Sequence, residues 1–231
     1  MIDVRHCFVV VVFSLFSVCT TNVCAESDTY QLPRGFVYVS DVAPDILCEL
    51  RYFGKNNFVG RRIDGYNANK CIVTSEAMGH LNSVQKELSF FGLGLKIFDA
   101  YRPQQAVQDF VLWARDLGDV GQKKAYYPDV DKKDLFAKGY IAGKSGHSRG
   151  STLDLTVVAN GVEIDMGSPF DYFGEKSWLG YRGLSSQQRA NRLLLKSIME
   201  AHGFRSYRRE WWHYTLVNEP YSETYFNFPV Q

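Results

Sequence analysis

Ser145-Gly146-His147-Ser148-Arg149-Gly150-Ser151-Thr152-Leu153-Asp154-Leu155-Thr156-Val157-Val158-Ala159-Asn160-Gly161-Val162-Glu163-Ile164-Asp165-Met166 is the stretch whose reading decides the fold. Ser151 to Val158 reads as a strand, and Asn160-Gly161 is a strong hairpin signal because both central residues of the tight turn need positive φ. Val162 to Met166 then reads as the returning strand, so the sheet is antiparallel here. Along the first strand Thr152, Asp154 and Thr156 share one face, while Leu153, Leu155 and Val157 share the other. One face therefore builds apolar core and the other presents a carboxylate. Such a carboxylate loses hydration, on the order of several kcal/mol, unless a partner or a metal compensates. An ion pair with Arg149, or with an arginine elsewhere, meets that need as simply as a metal does.

Working upstream, Leu95 to Tyr101 reads as a strand ended by Arg102-Pro103. Before it, Ala77, Met78, Leu81, Val84, Leu88 and Phe91 recur at helical spacing, with Thr74 or Ser75 as N-cap and Gly92 or Gly94 as terminator. After it, Gln104 to Leu117 is helical through Val107, Phe110, Val111 and Ala114. Val37 to Ser40 and Ile46 to Phe53 read as extended, and Gly54 to Lys70 as a surface loop. Gly118 to Gly150 has no period and is the kind of long irregular segment that carries function. Downstream, Gly167 to Leu184 is also aperiodic. A helix follows with a Ser185/Gln188 capping box and Gly203 as its stop. Phe204 to Tyr207 and Trp211 to Val217 read as two short strands. No internal repeat or linker is visible, so the expectation is one α+β domain, a mostly antiparallel sheet packed against helices with the site at one sheet face.

The 26 Lys and Arg against 25 Asp and Glu give a formal net charge of +1 with no basic block, which argues against a nucleic-acid partner. Arg5, the apolar run Cys7 to Val18 and Val23-Cys24-Ala25 read as a secretory signal peptide cleaved after Ala25. The run is too short to span a membrane, and no later segment replaces it. A retained amphipathic anchor is the alternative, and Thr21-Asn22-Val23 before Cys24 lacks a lipobox. Cleavage would leave only Cys48 and Cys71 of five cysteines. In an oxidising compartment they can pair; two separately buried thiols fit the sequence equally well.

The chemistry is sorted by elimination among five histidines. His6 leaves with the leader, His80 falls mid-helix on a surface or satisfied position, and His202 at a helix C-terminus is favoured by the dipole. His147 precedes Asp154 by seven positions, and His213 lies in Glu210-Trp211-Trp212-His213-Tyr214. His147, Asp154 and His213 make a ligand set suited to one Zn²⁺ with a fourth position for water, and Glu210 is then placed to act as general base. One geometric condition attaches. Residues three apart on a regular strand face opposite ways, so Glu210 must lie in a turn or a bulge must intervene, and Arg208-Arg209 makes a turn plausible.

Ser145 to Thr156 and Glu210 to His213 resemble the two zinc-site motifs of the VanX-type D-alanyl-D-alanine dipeptidases, M15 zinc peptidases, with similarity running from about Val42 through the Trp-Trp-His strand. The resemblance implies His147, Asp154 and His213 as zinc ligands and Glu210 as catalytic base. It implies Arg102, in Asp99-Ala100-Tyr101-Arg102-Pro103, as the stabiliser of the transition state. Asp171, in Met166-Gly167-Ser168-Pro169-Phe170-Asp171, is implied to hold the substrate ammonium, and Ser145 the substrate carboxylate. A fixed guanidinium suits a developing oxyanion, and a carboxylate suits a free amine. Export departs from the cytoplasmic resistance enzymes of that type and points to periplasmic turnover of wall dipeptides. The rivals are a D,D-carboxypeptidase or wall endopeptidase acting on longer peptides, and a non-catalytic zinc-stabilised binding module, which would need neither Glu210 nor Arg102. The sequence is silent on oligomeric state.

Overall fold

The strand Thr152–Ala159 sits at the middle of a six-stranded sheet in the computed structural model, which describes residues 30–231. The proposed leader lies outside the described residues. In chain order the elements are β1 (Phe36–Tyr38), α1 (Val39–Val42), β2 (Leu47–Cys48), β3 (Ile72–Thr74), α2 (Ser75–Ser89), β4 (Leu93–Asp99), α3 (Gln104–Arg115) and α4 (Lys123–Tyr126). They continue with β5 (Thr152–Ala159), β6 (Val162–Glu163), α5 (Ser186–Ala201), β7 (Phe204–Tyr207) and β8 (Glu210–Leu216). The large sheet runs β2-β4-β5-β8-β7, with β6 paired to β5 and a separate β1-β3 pair. Only β2 and β4 are parallel; every other pair is antiparallel, so the α+β reading holds.

Local signals set the helices. Thr74 Oγ1 accepts from Ala77 N at the start of α2, Ser185 and Gln188 close a reciprocal capping box at the start of α5, and Gly203 follows α5 with φ 84°. Asn160 and Gly161 turn the hairpin with φ of 50° and 77°. α2 packs on β4 and α5 on β7 and β8, each touching the other. Among the described residues no helix is long and apolar enough to cross a membrane.

Several expectations give way to tertiary contacts. Val37 to Ser40 is extended only to Tyr38, because Ala43 N donates to Val39 O and winds α1. Ile46 to Phe53 is strand only at Leu47–Cys48: the Asn69 side chain accepts from Leu50 N and turns the chain into a 3₁₀ turn at Arg51–Phe53. Val162 to Met166 pairs only at Val162–Glu163, since Asp165 Oδ1 accepts from Gly167 N and bends the chain away. Gly54 to Lys70 is no surface loop. Its Phe58, Ile63 and Tyr66 are core, and the buried Asn57 side chain bridges the loop and the turn before it, Oδ1 accepting from Val59 N and Gly60 N and the two Nδ2 hydrogens shared among the Arg51, Gly54 and Arg61 carbonyls. Both faces of β5 are buried, the Thr152, Asp154 and Thr156 face included. Cys48 and Cys71 form a disulfide that ties β2 to the residue before β3.

Two irregularities place candidate site side chains. Between Ile97 and Asp99, β4 advances two residues against one on β5, so Asp99 stands opposite Asp154. Between Tyr214 and Glu210, β8 advances four residues against one on β7, after a turn at Arg208 and Arg209. That bulge is what the Glu210 to His213 spacing demands.

Candidate functional site

Asp154 and His213 are register partners across β5 and β8, which brings Asp154 Oδ1 to 3.0 Å from His213 Nδ1. His147 arrives from a short 3₁₀ turn, Gly146–Arg149, whose first N–H bonds are started by Ser145 Oγ accepting from His147 N. Gly150 ends that turn at φ 83°, and a Cβ there would stand 2.3 Å from the Phe36 ring, so the turn admits only glycine. His147 Nδ1 donates to Ala100 O at 2.8 Å, which orients the ring with Nε2 toward the site. His147 Nε2 lies 3.4 Å from Asp154 Oδ1 and 3.4 Å from His213 Nδ1.

These three donors fit a tetrahedral metal. Ligand atoms about 2.0–2.1 Å from a zinc ion stand about 3.3 Å apart at tetrahedral angles. Asp154 Oδ1 is buried and takes no hydrogen bond despite its two imidazole neighbours, the condition of an atom aimed at a cation. Among the described residues His147, Asp154 and His213 are the group of donors close enough to share an ion. Arg149, the first alternative partner, pairs instead with Glu219 at 2.7 and 2.9 Å, whereas the other alternative, an arginine elsewhere, is met by Arg102, whose Nη2 stands 3.7 Å from Asp154 Oδ2 and leaves Oδ1 free. Burial alone would raise the Asp154 carboxyl, but its electrostatic interaction with His147, and then with His213, holds it well below the usual carboxylate range. Burial works to lower His213, and Asp154 and Glu210 outweigh it, so the net direction is up.

Glu210 stands beyond the bulge with Oε2 3.4 Å from His213 Nδ1. Burial pushes its carboxyl up to about 7, against the pull of His213 and Arg102. Arg102 lines the cleft with its guanidinium over the adjoining Tyr52 and Phe110 rings, 5.0 and 5.1 Å from their centroids. Its Nε and Nη2 donate to Asp99 Oδ2 at 2.9 and 2.8 Å, and its Nη1 stands 3.5 Å from Ser145 Oγ. The guanidinium is therefore fixed before any substrate arrives. Asp171 is buried rather than an exposed loop acid, sits in the left-handed region at φ 60°, and accepts from Tyr52 OH at 2.8 Å. Burial pushes its carboxyl well above the ordinary value, and Asp154 adds to the effect.

Arg102, Ser145, His147, Asp154, Asp171, Glu210 and His213 all line one cleft of about 230 Å³. That is below the roughly 300–1,000 Å³ of sites for drug-sized ligands. The chain brings together every side chain singled out in the sequence. It also adds Asp99, fully buried, whose Oδ1 accepts from Tyr66 OH at 2.6 Å while Oδ2 holds Arg102 and lies 3.4 Å from His147 Nδ1. A charged residue interrupting an apolar strand three positions before Arg102 was the available signal. Tyr52 and Tyr66 gave none, since each lies in a stretch without readable period.

The family model described as D-ala-D-ala dipeptidase, of the M15 peptidases, matches residues 33–231. The D-alanyl-D-alanine dipeptidase of Enterococcus faecalis is 40% identical over 201 residues, covering 86% of this chain and 100% of the relative. That of Streptomyces coelicolor is 39% identical over 197 residues, covering 84% and 98%, and that of Escherichia coli is 34% identical over 191 residues, covering 82% and 86%. With its donor triangle, its paired acid and guanidinium, and a match along nearly the whole described chain, the protein belongs to the D-ala-D-ala dipeptidase family of M15 peptidases.

Proposed function

We propose that the protein is a zinc-dependent dipeptidase that hydrolyses D-alanyl-D-alanine, with one zinc ion held by His147, Asp154 and His213. The observation that carries the reading is the triangle of donors around the orphaned Asp154 Oδ1, with Glu210 beside it in a small cleft. When bound, zinc supplies Lewis acidity toward the scissile carbonyl and acidifies a water. Glu210, with its carboxyl lifted by burial, takes a proton from the attacking water and passes it to the departing amine. Arg102, held rigid by Asp99, faces the oxygen on which negative charge develops. Asp171 receives the substrate ammonium, which supplies the counter-charge its buried carboxylate lacks, and Ser145 hydrogen-bonds the substrate carboxylate.

The assay is hydrolysis of D-Ala-D-Ala and of its N-acetyl form, each with and without a chelator. Chelation abolishes turnover and zinc restores it; the free dipeptide is cleaved and the acetylated one is not. Equal cleavage of both forms would transfer the assignment to a D,D-carboxypeptidase, and chelator-insensitive turnover would remove the metal. The reading extends to export and periplasmic turnover of wall dipeptides, supported by the leader pattern and by the Cys48–Cys71 disulfide, which suits an oxidising compartment. A reporter fused to the first 30 residues should reach the periplasm; its retention in the cytoplasm would refute export.

A further inference from the structure

Arg192 is buried in α5 at 3% exposure, and among the described residues it has no ion-pair partner. Its hydrogen bonds all go to one segment, residues 166–178 around Asp171, while its Cζ lies 5.9 Å from the Trp211 ring centroid. Nε donates to Met166 O at 2.6 Å, Nη1 to Trp178 O at 3.0 Å, and Nη2 to Lys176 O at 2.7 Å and Ser168 Oγ at 3.3 Å. These acceptors bracket Asp171 on both sides. A buried arginine satisfied only by carbonyl and hydroxyl oxygens is costly to keep charged, and burial accordingly lowers it to about 10.

Donor and acceptor accounting gives the network a direction. Ser168 Oγ accepts from Arg192 Nη2 and from Trp211 Nε1 at 3.0 Å, so both lone pairs are taken and its own proton must point to Ser177 Oγ, 3.2 Å away. Ser177 Oγ in turn donates to Tyr172 O at 2.7 Å, on the residue that follows Asp171. Arg192 thus reaches the backbone beside Asp171 through two hydroxyls. Asp171 itself holds a left-handed backbone that a non-glycine residue keeps only when its surroundings impose it. Gln188 and Asn191 on the same helix add bonds to Asp165 at 2.8 Å each.

We propose that Arg192 is a positioning residue for substrate recognition: anchored in α5, it sets the 166–178 segment so that the Asp171 carboxylate meets the free amine of the substrate. The inference rests on the reading of Asp171 as the ammonium clamp. It places the specificity for a free N-terminus in a helix that contributes no residue to the cleft lining. Because recognition of the ammonium is shared by ground and transition states, loosening it raises KM and spares kcat.

The test compares Arg192→Gln, Arg192→Lys, Ser177→Ala and Asp171→Asn, with thermal melts to identify folded variants. KM and kcat are measured for D-Ala-D-Ala, and rates for its N-acetyl form. Asp171→Asn should raise KM and erase the preference for the free amine. Arg192→Gln and Ser177→Ala should raise KM about tenfold with kcat little changed, in line with loss of a hydrogen bond to a charged group, and Arg192→Lys should recover part of the loss. In the Asp171→Asn background the Arg192→Gln change should add nothing further. If Asp171→Asn alters KM and preference while folded Arg192→Gln and Ser177→Ala do not, the positioning role is wrong and the clamp stands. Additive effects in the double variant overturn it likewise. If Asp171→Asn changes neither, the clamp reading and this inference fail together. Should Arg192→Gln not fold, Ser177→Ala and Arg192→Lys decide by the same readouts.

Discussion

Glu210 and Asp171 are two carboxyls lifted by burial, to which the proposed function gives different work. Glu210 shares its surroundings with His213 and Arg102, so its charge has partners and its proton affinity settles near neutrality. On the proposed reading Glu210→Gln keeps the shape and removes the base; kcat on the dipeptide should then fall by roughly 10²–10⁴ while zinc content is unchanged. Asp171 has Tyr52 as its hydrogen-bond donor and no ion pair among the described residues, so its folded-state value lies well above that of an unfolded chain, about 3.9. Between those two values the folded protein binds more protons than the unfolded one, so stability falls as pH rises through that window. Asp171→Asn should therefore melt higher than the parent at neutral pH, with a gap that narrows toward pH 4. A gap that widened on acidification would contradict the burial account.

At the scale of elements, short strands are held by devices outside the ladder. β2 has two residues, yet the disulfide from Cys48 to Cys71, 23 positions on, closes the loop that buries Phe58, Ile63 and Tyr66. Tyr66 supports Asp99, and Asp99 supports Arg102, so this loop underlies the site. In the chain-entropy account a loop of this size is worth about 3 kcal/mol. The Cys48→Ala, Cys71→Ala double variant should lose about 2–4 kcal/mol in urea unfolding, and reduction of the parent should match it. The 118–150 segment is fastened differently. Lys132, buried, donates to Asp116 O at 2.7 Å and Asp119 O at 2.5 Å past the end of α3, with its ammonium 4.0 Å from the Trp113 ring centroid. That fixes the start of the segment whose Gly139, Tyr140 and Ile141 wall the cleft.

Across the whole molecule the three proposed metal donors come from one turn and two strands, so an ion held by them would weld parts of the chain that are distant in sequence. A ligand that binds only the folded state raises stability by an amount that grows with its concentration over its dissociation constant. Chelation should lower the melting temperature of the parent and added zinc restore it, and Asp154→Ala should abolish the difference. An identical melt with and without metal would show that the donors do not hold one.

What the sequence by itself determined is local. The caps at Thr74 and Ser185, the stop at Gly203 and the Asn160-Gly161 turn depend on neighbours within a few residues, and they are found where the pattern puts them. The convergence of His147, Asp154, Glu210 and His213 on one cleft was legible because few residue types suit the proposed chemistry and their spacing is specific. Only the tertiary structure decided the rest. Burial of both faces of β5, the diversion of the chain by Asn69, the bulge that sets Asp99 opposite Asp154, and the grip of Arg192 on the Asp171 segment all join residues far apart along the chain. Such contacts leave no period in the sequence, because a buried hydrogen-bonding group takes whichever partner the folded path brings to it.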